Sequence, residues 1–254
     1  MDESGSHEGA PCIAVAACFG EKPEHWKQYE RDWADTAKAY QKRPYHATDA
    51  RPEDNALLAS IVARWLSGLA ITISYSDFDA VVPHRTRSIY GAEYTTSMRA
   101  LIHVLAHFSH GRDIPWVKWI LEAGHPEQPM VDKLLTESHG KAHIWSHEWV
   151  GKNDISTHAA DLLAHLAAAA RDATNPPLLD LIVANDRVLV RHMSRAELEQ
   201  SVAHLYERTG WKKQHGPNPP SPKRIAERRL RVGRKFVTKW SKRIWFGYIG
   251  KLWR

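Results

Sequence analysis

The segment PEDNALLASIVARWLSGLAITISYSDF, residues 52–78, decides the fold class of this chain. Between Leu57 and Leu69 its apolar residues lie three and four positions apart, which is the spacing of a helix that buries one wide face. Two acids stand in the first turn, where carboxylates suit the positive end of the helix dipole. From Ile71 onward the residues become β-branched and aromatic, so either the helix continues or a strand follows it.

Helical spacing recurs along the rest of the chain. It predicts helices over residues 23–41, 93–111, 116–123, 129–138, 155–171 and 194–210. Ser194 and Glu197 form a capping box at the start of the last one. The fold class that we predict is therefore all-α, a multi-helix, bundle-like domain. The segment LLDLIVANDRVLVRH, residues 178–192, allows either another helix or a small β-hairpin that turns at its Asn-Asp pair.

Composition divides the chain into four parts. We expect a flexible leader over residues 1–22, in which the short apolar piece PCIAVAACFG is small and packed or strand-like, and a helical domain over residues 23–210. The linker at residues 211–222 contains GPNPPSP, which is stiff and extended because it is rich in proline. Residues 223–254 form a basic tail. No run of apolar residues approaches the roughly 20 that a membrane-spanning helix needs.

Cysteine usage bears on the compartment. Cys12 and Cys18 are the only two cysteines, too few for a disulfide scaffold and without the spacing of a structural zinc site. The acidic N-terminal residues lack the positive charge that begins a secretory signal. We therefore expect a cytoplasmic protein, and its tail could associate with a membrane surface.

The tail carries the positive charge of the chain. Its twelve Lys or Arg and single acid give a net charge of +11, and because the whole chain is only +6, the preceding 222 residues carry −5. Apolar residues recur along it about one or two turns apart, which predicts a basic amphipathic helix. Such helices bind nucleic acid or anionic lipid, so we expect an anionic partner, with RNA favoured and an anionic membrane as the alternative. The candidate contact residues are Arg228, Arg229, Arg231, Arg234, Lys235, Lys239, Trp240, Lys242, Arg243 and Trp245.

Histidines form three sets with helical spacing. The sets are His103, His107 and His110; His139, His143 and His147; and His158 with Asp161 and His165. Imidazoles one turn apart can bind zinc or iron, so a His-rich metal-binding helical protein is one alternative. The HExxH motif and the paired ExxH motifs of di-iron bundles are absent. We therefore expect no metal and no cofactor.

One further motif, RVLVRH, places Arg187 and His192 ahead of an amphipathic helix. Residues 155–208 resemble the HEPN-type helical proteins, whose R-x4-6-H motif has this form, and many of these proteins are metal-independent ribonucleases of toxin and phage-defence systems. The resemblance implies that Arg187 and His192 are catalytic, in a site that a homodimer can complete. This chemistry is reasonable for RNA, because its 2′-hydroxyl supplies the nucleophile while a guanidinium holds the phosphate and an imidazole moves a proton.

Two functions remain open at this point, and they leave open whether the chain is an enzyme. The first is a nucleic-acid-directed protein, a HEPN-like ribonuclease whose basic tail grips RNA. The second is a non-enzymatic peripheral membrane or interaction protein whose tail binds anionic lipid.

Overall fold

The computed structural model describes residues 2–4, 11–36, 44–82, 87, 91–109, 117–139, 144–171, 176–184 and 186–208. These residues form six strands and eight helices. The strands are β1 (Asp2–Ser4), β2 (Cys12–Phe19), β3 (Ser67–Ser74), β4 (Val117–Glu122), β5 (Ile144–Val150) and β6 (Val188–Met193). The helices are α1 (Pro23–Thr36), α2 (Pro52–Trp65), α3 (Tyr75–Val81), α4 (Glu93–Ser109), α5 (Gln128–Ser138), α6 (Ile155–Ala169), α7 (Pro177–Val183) and α8 (Arg195–Arg208).

The protein is mixed α/β, so the prediction of an all-α bundle is wrong. One sheet has four strands in the order β1-β2-β3-β6, and β4 and β5 form a second, parallel sheet. The segment that decides the fold class contains a helix and then a strand, because α2 ends at Trp65 and β3 begins at Ser67. All eight residues of β3 are buried. A strand covered on both faces loses the alternation of polar and apolar residues by which a strand is recognised in a sequence.

Other strands occupy segments for which we predicted a helix, left alternatives open or predicted no element. The predicted helix at residues 116–123 is β4, and β5 contains Trp145 and Trp149, whose spacing of four also fits a helical turn. Residues 178–192 combine the two alternatives, since a short helix, α7, is followed by a strand, β6. Within the predicted leader, the apolar piece forms β2 at residues 12–19, a strand of the four-stranded sheet, in agreement with the strand-like interpretation.

The main core lies between the four-stranded sheet and four helices, α1, α2, α6 and α7. Ala14 and Ala16 of β2 face this core, together with the Ala and Leu residues of α6. The contact between sheet and helix is close at Gly68 of β3, where an added Cβ would lie 2.8 Å from Leu163 Cδ2. On the opposite face of β2, Ile13 and Val15 are buried where α4 packs against the strand.

The chain divides into two compact units, one of Met1–Ile73 with Gly91–His192 and the other of Ser74–Tyr90 with Met193–Arg254. In the second unit α3 packs against α8, with Phe78 and Leu198 fully buried. The predicted capping box of α8 is confirmed, because Glu197 N donates to Ser194 Oγ and Ser194 N donates to Glu197 Oε2, 2.8 Å away.

The predicted linker (211–222) and the basic tail (223–254) lie outside the described residues. Among the helices that the structure describes, none is both long enough and apolar enough to cross a membrane.

Candidate functional site

The structure does not bring Arg187 and His192 together. Arg187 lies just before β6 and donates from Nη1 to the carbonyl oxygen of Arg64, whereas His192 lies within β6 and its Nδ1 bonds to Thr72 Oγ1. Five residues of extended chain span roughly 16 Å, and an odd separation points two side chains to opposite faces. Burial, and secondarily the charge of Arg171, lowers the pKa of His192. These two residues therefore do not form a site within one chain.

The structure places the residues of the three predicted histidine sets differently. His103 is exposed on α4, and the side chains of His107 and His110 are outside the described residues. His139 and His147 come together, although from the end of a helix and from a strand rather than from one helix. His158, Asp161 and His165 lie on one helix, α6, as their spacing predicts.

Asp161 is the acid within an otherwise apolar part of α6. It is 3% exposed, and its Oδ2 accepts a hydrogen bond from the backbone N–H of Ala47, 2.8 Å away. The Nδ1 atom of His46 lies 3.9 Å from the same oxygen, and the His46 side chain is 45% exposed. A buried carboxylate thus stands directly behind an imidazole that reaches solvent. Buried acids are uncommon in proteins, and many belong to functional sites.

His165 completes the group that we call the Asp161 cluster: Asp161, His46 and His165. It lies one turn after Asp161 on α6 and is partly buried. Burial lowers the pKa of His165, and the charge of His46 lowers it further. A charge on His46 therefore disfavours protonation of His165.

A network of hydrogen bonds fixes the loop that carries His46. Tyr45 donates from its hydroxyl to Asn55 Oδ1 at 2.6 Å, and Asn55 Nδ2 donates to the carbonyl oxygen of Ala47 at 3.0 Å. Together with the bond from Ala47 to Asp161, these contacts hold the residues on both sides of His46. The backbone position of His46 is therefore set by buried neighbours, although the loop itself has no regular structure.

His158 has a structural role in the same region. Its Nδ1 accepts a hydrogen bond from Trp33 Nε1 at 2.9 Å, and its Nε2 lies 3.3 Å from the carbonyl oxygen of Lys152. Burial lowers the pKa of His158 to about 4. The ring is therefore neutral near pH 7, and its tautomer follows from its partners: Nδ1 accepts and Nε2 donates.

The edge strand β1 lies beside α6 and contains an acidic residue, Asp2. Its register pairs Asp2 with Ala16 and Ser4 with Ala14, the two β2 residues that face α6. The backbone of β1 itself packs against α6. Among the residues with described side chains, no three His, Cys, Asp or Glu form a group that could hold a metal ion.

Sequence reasoning missed His46 and used Asp161 only as a helical neighbour of two histidines. His46 lies in a loop 115 positions from Asp161 in the chain, and no local pattern connects the two. One signal was present. In the segment from Ala159 to Ala170, where nearly every residue is Ala or Leu, an acid is out of place on a helix that is apolar on most sides.

Comparisons with family models, with curated proteins and with solved structures find no match to this chain. The resemblance of residues 155–208 to HEPN-type proteins stays a prediction. In that segment, the two motif residues lie at a strand, β6, rather than on a helix.

Proposed function

We propose that this chain cleaves RNA and that the Asp161 cluster is its catalytic centre. The observation that supports this function is the buried carboxylate of Asp161, 3.9 Å behind the solvent-exposed imidazole of His46. A carboxylate that accepts a hydrogen bond from an imidazole orients the ring for proton transfer, which is the arrangement that a general acid–base needs. Distances of this kind often shorten when substrate binds.

The proposed reaction uses the nucleophile that RNA already carries. His46 takes the proton from a ribose 2′-hydroxyl, and the oxygen attacks the adjacent phosphorus. The bond from phosphorus to the 5′-oxygen breaks, and the imidazolium returns its proton to that leaving oxygen. The products are a 2′,3′-cyclic phosphate and a 5′-hydroxyl. In this scheme His46 is the catalytic residue, and Asp161 is a positioning residue that acts through it.

The basic tail supports the choice of an anionic polymer as substrate. The first 222 residues carry a net charge of −5 and would repel RNA at long range, whereas the tail carries +11. Its Lys and Arg residues would neutralise phosphates, and its aromatic residues would stack on bases. We therefore propose that Arg228, Arg234, Lys239 and Trp240, with their neighbours in the tail, hold the RNA that the Asp161 cluster cleaves.

The experiment compares cleavage of a labelled single-stranded RNA by the full chain and by two variants. Asp161→Asn keeps an oxygen that can accept from Ala47 but removes the charge, and His46→Gln removes the proton-transfer group. We expect kcat to fall about 100-fold or more in both, with little change in KM. A matched control, Asp180→Asn, changes an exposed acid on α7 and is expected to cleave like the unmodified chain.

Each reaction is run in EDTA and, separately, with Mg²⁺. Cleavage in EDTA is expected because the 2′-hydroxyl, the imidazole and the carboxylate suffice. If cleavage requires Mg²⁺, the assignment of the site stands, but the metal-free mechanism is wrong. Unchanged rates in both variants would show that the Asp161 cluster is not the catalytic centre.

The membrane alternative concerns the tail alone. Binding of the full chain and of a chain that ends at residue 222 is measured with RNA, duplex DNA and anionic liposomes. We expect the truncation to lose most of its affinity for RNA. A loss seen with liposomes but not with RNA would favour the lipid-binding alternative instead.

A further inference from the structure

One buried side chain, Asn55, holds the loop that carries His46 against helix α2. Asn55 lies in the first turn of α2. Its Oδ1 accepts a hydrogen bond from the hydroxyl of Tyr45 at 2.6 Å, and its Nδ2 donates to the carbonyl oxygen of Ala47 at 3.0 Å. Tyr45 and Ala47 are the two neighbours of His46 in the chain. Asn55 therefore contacts the loop immediately before and immediately after His46.

The peptide group between His46 and Ala47 is held from its other side by the candidate site itself. Its N–H, on Ala47, donates to Asp161 Oδ2 at 2.8 Å. Its carbonyl oxygen, on His46, accepts from the backbone N–H groups of Asp49 and Ala50 at 3.0 Å and 2.8 Å. Any shift of this peptide group therefore changes the distance from His46 to Asp161.

The two contacts of Asn55 call for an amide at this position. The carbonyl of Ala47 can only accept, so it faces Nδ2, and the hydroxyl of Tyr45 then donates to Oδ1. A carboxylate would place a second acceptor against the Ala47 carbonyl, and an apolar side chain would make neither bond. Because these groups are buried, loss of either bond favours a loop position in which they reach water.

Tyr45 is itself fixed by other aromatic rings. Its buried ring packs edge-on against Trp33, with 5.3 Å between the ring centroids, and its centroid lies 5.1 Å from that of His158. Trp33 Nε1 in turn donates to His158 Nδ1. The three rings hold one another, so the Tyr45 hydroxyl has a defined position from which it donates to Asn55.

We propose that Asn55 is a positioning residue of the Asp161 cluster. Through Tyr45 and Ala47 it holds His46 at the place from which the imidazole reaches both Asp161 and the ribose 2′-hydroxyl. Asn55 acts through the loop backbone and takes no part in the proton transfer. This role rests on the proposed function, because the reaction that it serves is the cleavage of RNA by His46.

The distance between His46 and Asp161 makes the site sensitive to this loop. Nδ1 of His46 lies 3.9 Å from Asp161 Oδ2, whereas a hydrogen bond of this kind spans roughly 2.7–3.2 Å. The imidazole therefore has to approach the carboxylate by about 1 Å when substrate binds. A misplacement of about 1 Å in a catalytic site can cost about 100-fold in rate. Loosening the loop should therefore lower kcat, while KM depends mainly on the tail that holds the RNA.

The test measures kcat and KM for single-stranded RNA, under the conditions in which the unmodified full chain cleaves it. Asn55→Leu makes neither bond and should lower kcat about 10- to 100-fold, with little change in KM. Asn55→Asp keeps the acceptor for Tyr45 but opposes the Ala47 carbonyl, so it should lower kcat as well. Tyr45→Phe removes one bond and keeps the ring, so it should lower kcat about 2- to 12-fold, the usual range for one hydrogen bond.

Two comparisons separate a positioning role from a merely structural one. The matched control is Ser67→Ala, which removes a hydrogen bond of another buried residue, from Ser67 Oγ to Glu21 Oε1 at 3.1 Å, and should leave kcat unchanged. Asn55→Leu is also combined with Asp161→Asn. Because Asn55 acts by holding His46 near the Asp161 carboxylate, the double variant should cleave about as slowly as Asp161→Asn alone. A general loss of structure would instead lower the rate by the same factor in both backgrounds.

Hydrogen exchange of the Ala47 amide, followed by NMR, examines the loop without RNA. In the unmodified chain this N–H is bonded to Asp161 and should exchange slowly. Asn55→Leu should speed its exchange about 10-fold, while a core amide of α6, that of Leu163, should exchange as before. If both amides exchange faster, the variant is destabilised as a whole, and the kinetics of Tyr45→Phe then decide.

The outcomes distinguish the role of Asn55 from the proposed function. If the unmodified chain cleaves RNA and the Asn55 and Tyr45 variants have the same kcat, the positioning role is wrong while the proposed function stands. A full additional loss in the double variant also overturns the positioning role, as does faster exchange of Ala47 without a lower kcat. If the unmodified chain cleaves no RNA, the proposed function fails, and the positioning role fails with it.

Discussion

Acidification is expected to weaken the fold through one buried histidine, His158. The pKa of this imidazole is 6.5 in the unfolded chain and about 4 in the folded one, because burial disfavours its charged form. Above pH 6.5 both states are neutral and the folded state loses nothing. As the pH falls from 6.5 towards 4, the unfolded chain takes up a proton that the folded chain refuses, so stability is lost over that window.

The size of the loss follows from the two pKa values. The full difference of 2.5 units is worth about 3 kcal/mol, and between about pH 7 and pH 5 the His158 contribution is about 2 kcal/mol. That is a large fraction of the 5–15 kcal/mol that typically separates folded from unfolded states. The pKa of His165 is also lowered, so His165 acts in the same direction.

The assay is urea unfolding of the full chain and of His158→Gln at several pH values from about 7 to 5. Glutamine does not titrate, and its amide oxygen can still accept from Trp33 Nε1. The variant is less stable at pH 7, but its free energy of unfolding should fall about 2 kcal/mol less than that of the unmodified chain as the pH is lowered. Parallel curves for the two proteins would refute the assignment of His158 as a buried, neutral imidazole.

Two further predictions concern packing and helix capping. Gly68→Ala should lower the free energy of unfolding by about 1–3 kcal/mol, because the new Cβ would lie 2.8 Å from Leu163. The matched control is Gly151→Ala, where a new Cβ meets nothing within 4 Å. This substitution should change the free energy of unfolding little. Ser194→Ala removes the capping oxygen of α8 and should cost about 1 kcal/mol in the same urea titration, whereas Ser138→Ala, at the other end of a helix, should cost less. Equal effects within either pair would contradict the corresponding contact.

The sequence predicted most of the helices, because most of them keep one polar face; α6 is the exception, since it is buried on most sides. The wide apolar face of α2 and the capping box of α8 both appear in the structure as their spacing indicated. A strand after Ile71 and one within residues 178–192 were left open as alternatives, whereas β4 and β5 were not predicted, and the reasons are physical. β3 is buried on both faces and lacks alternation, and β5 carries two tryptophans four residues apart, a spacing that fits a helix as well as one face of a strand.

The candidate sites were only partly visible in the sequence. Asp161 and His165 share a helix and could be paired by spacing, but His46 reaches them through tertiary packing of a loop. His139 and His147 were grouped on a helix, and they do meet, yet Asp132 connects to them only because α5 crosses β5. Long-range contacts of this kind leave no trace at a fixed sequence spacing.

Cleavage of single-stranded RNA by Asp161→Asn is the measurement that tests the central claim most directly. The amide oxygen of the variant can still accept from the backbone N–H of Ala47, and the substitution removes the charge behind His46. With pure, folded protein, the unmodified chain should cleave RNA, while the variant should cleave it about 100-fold more slowly with a similar KM. Equal rates for the two proteins, or no cleavage by the unmodified chain, would contradict the assignment of the Asp161 cluster as a ribonuclease centre.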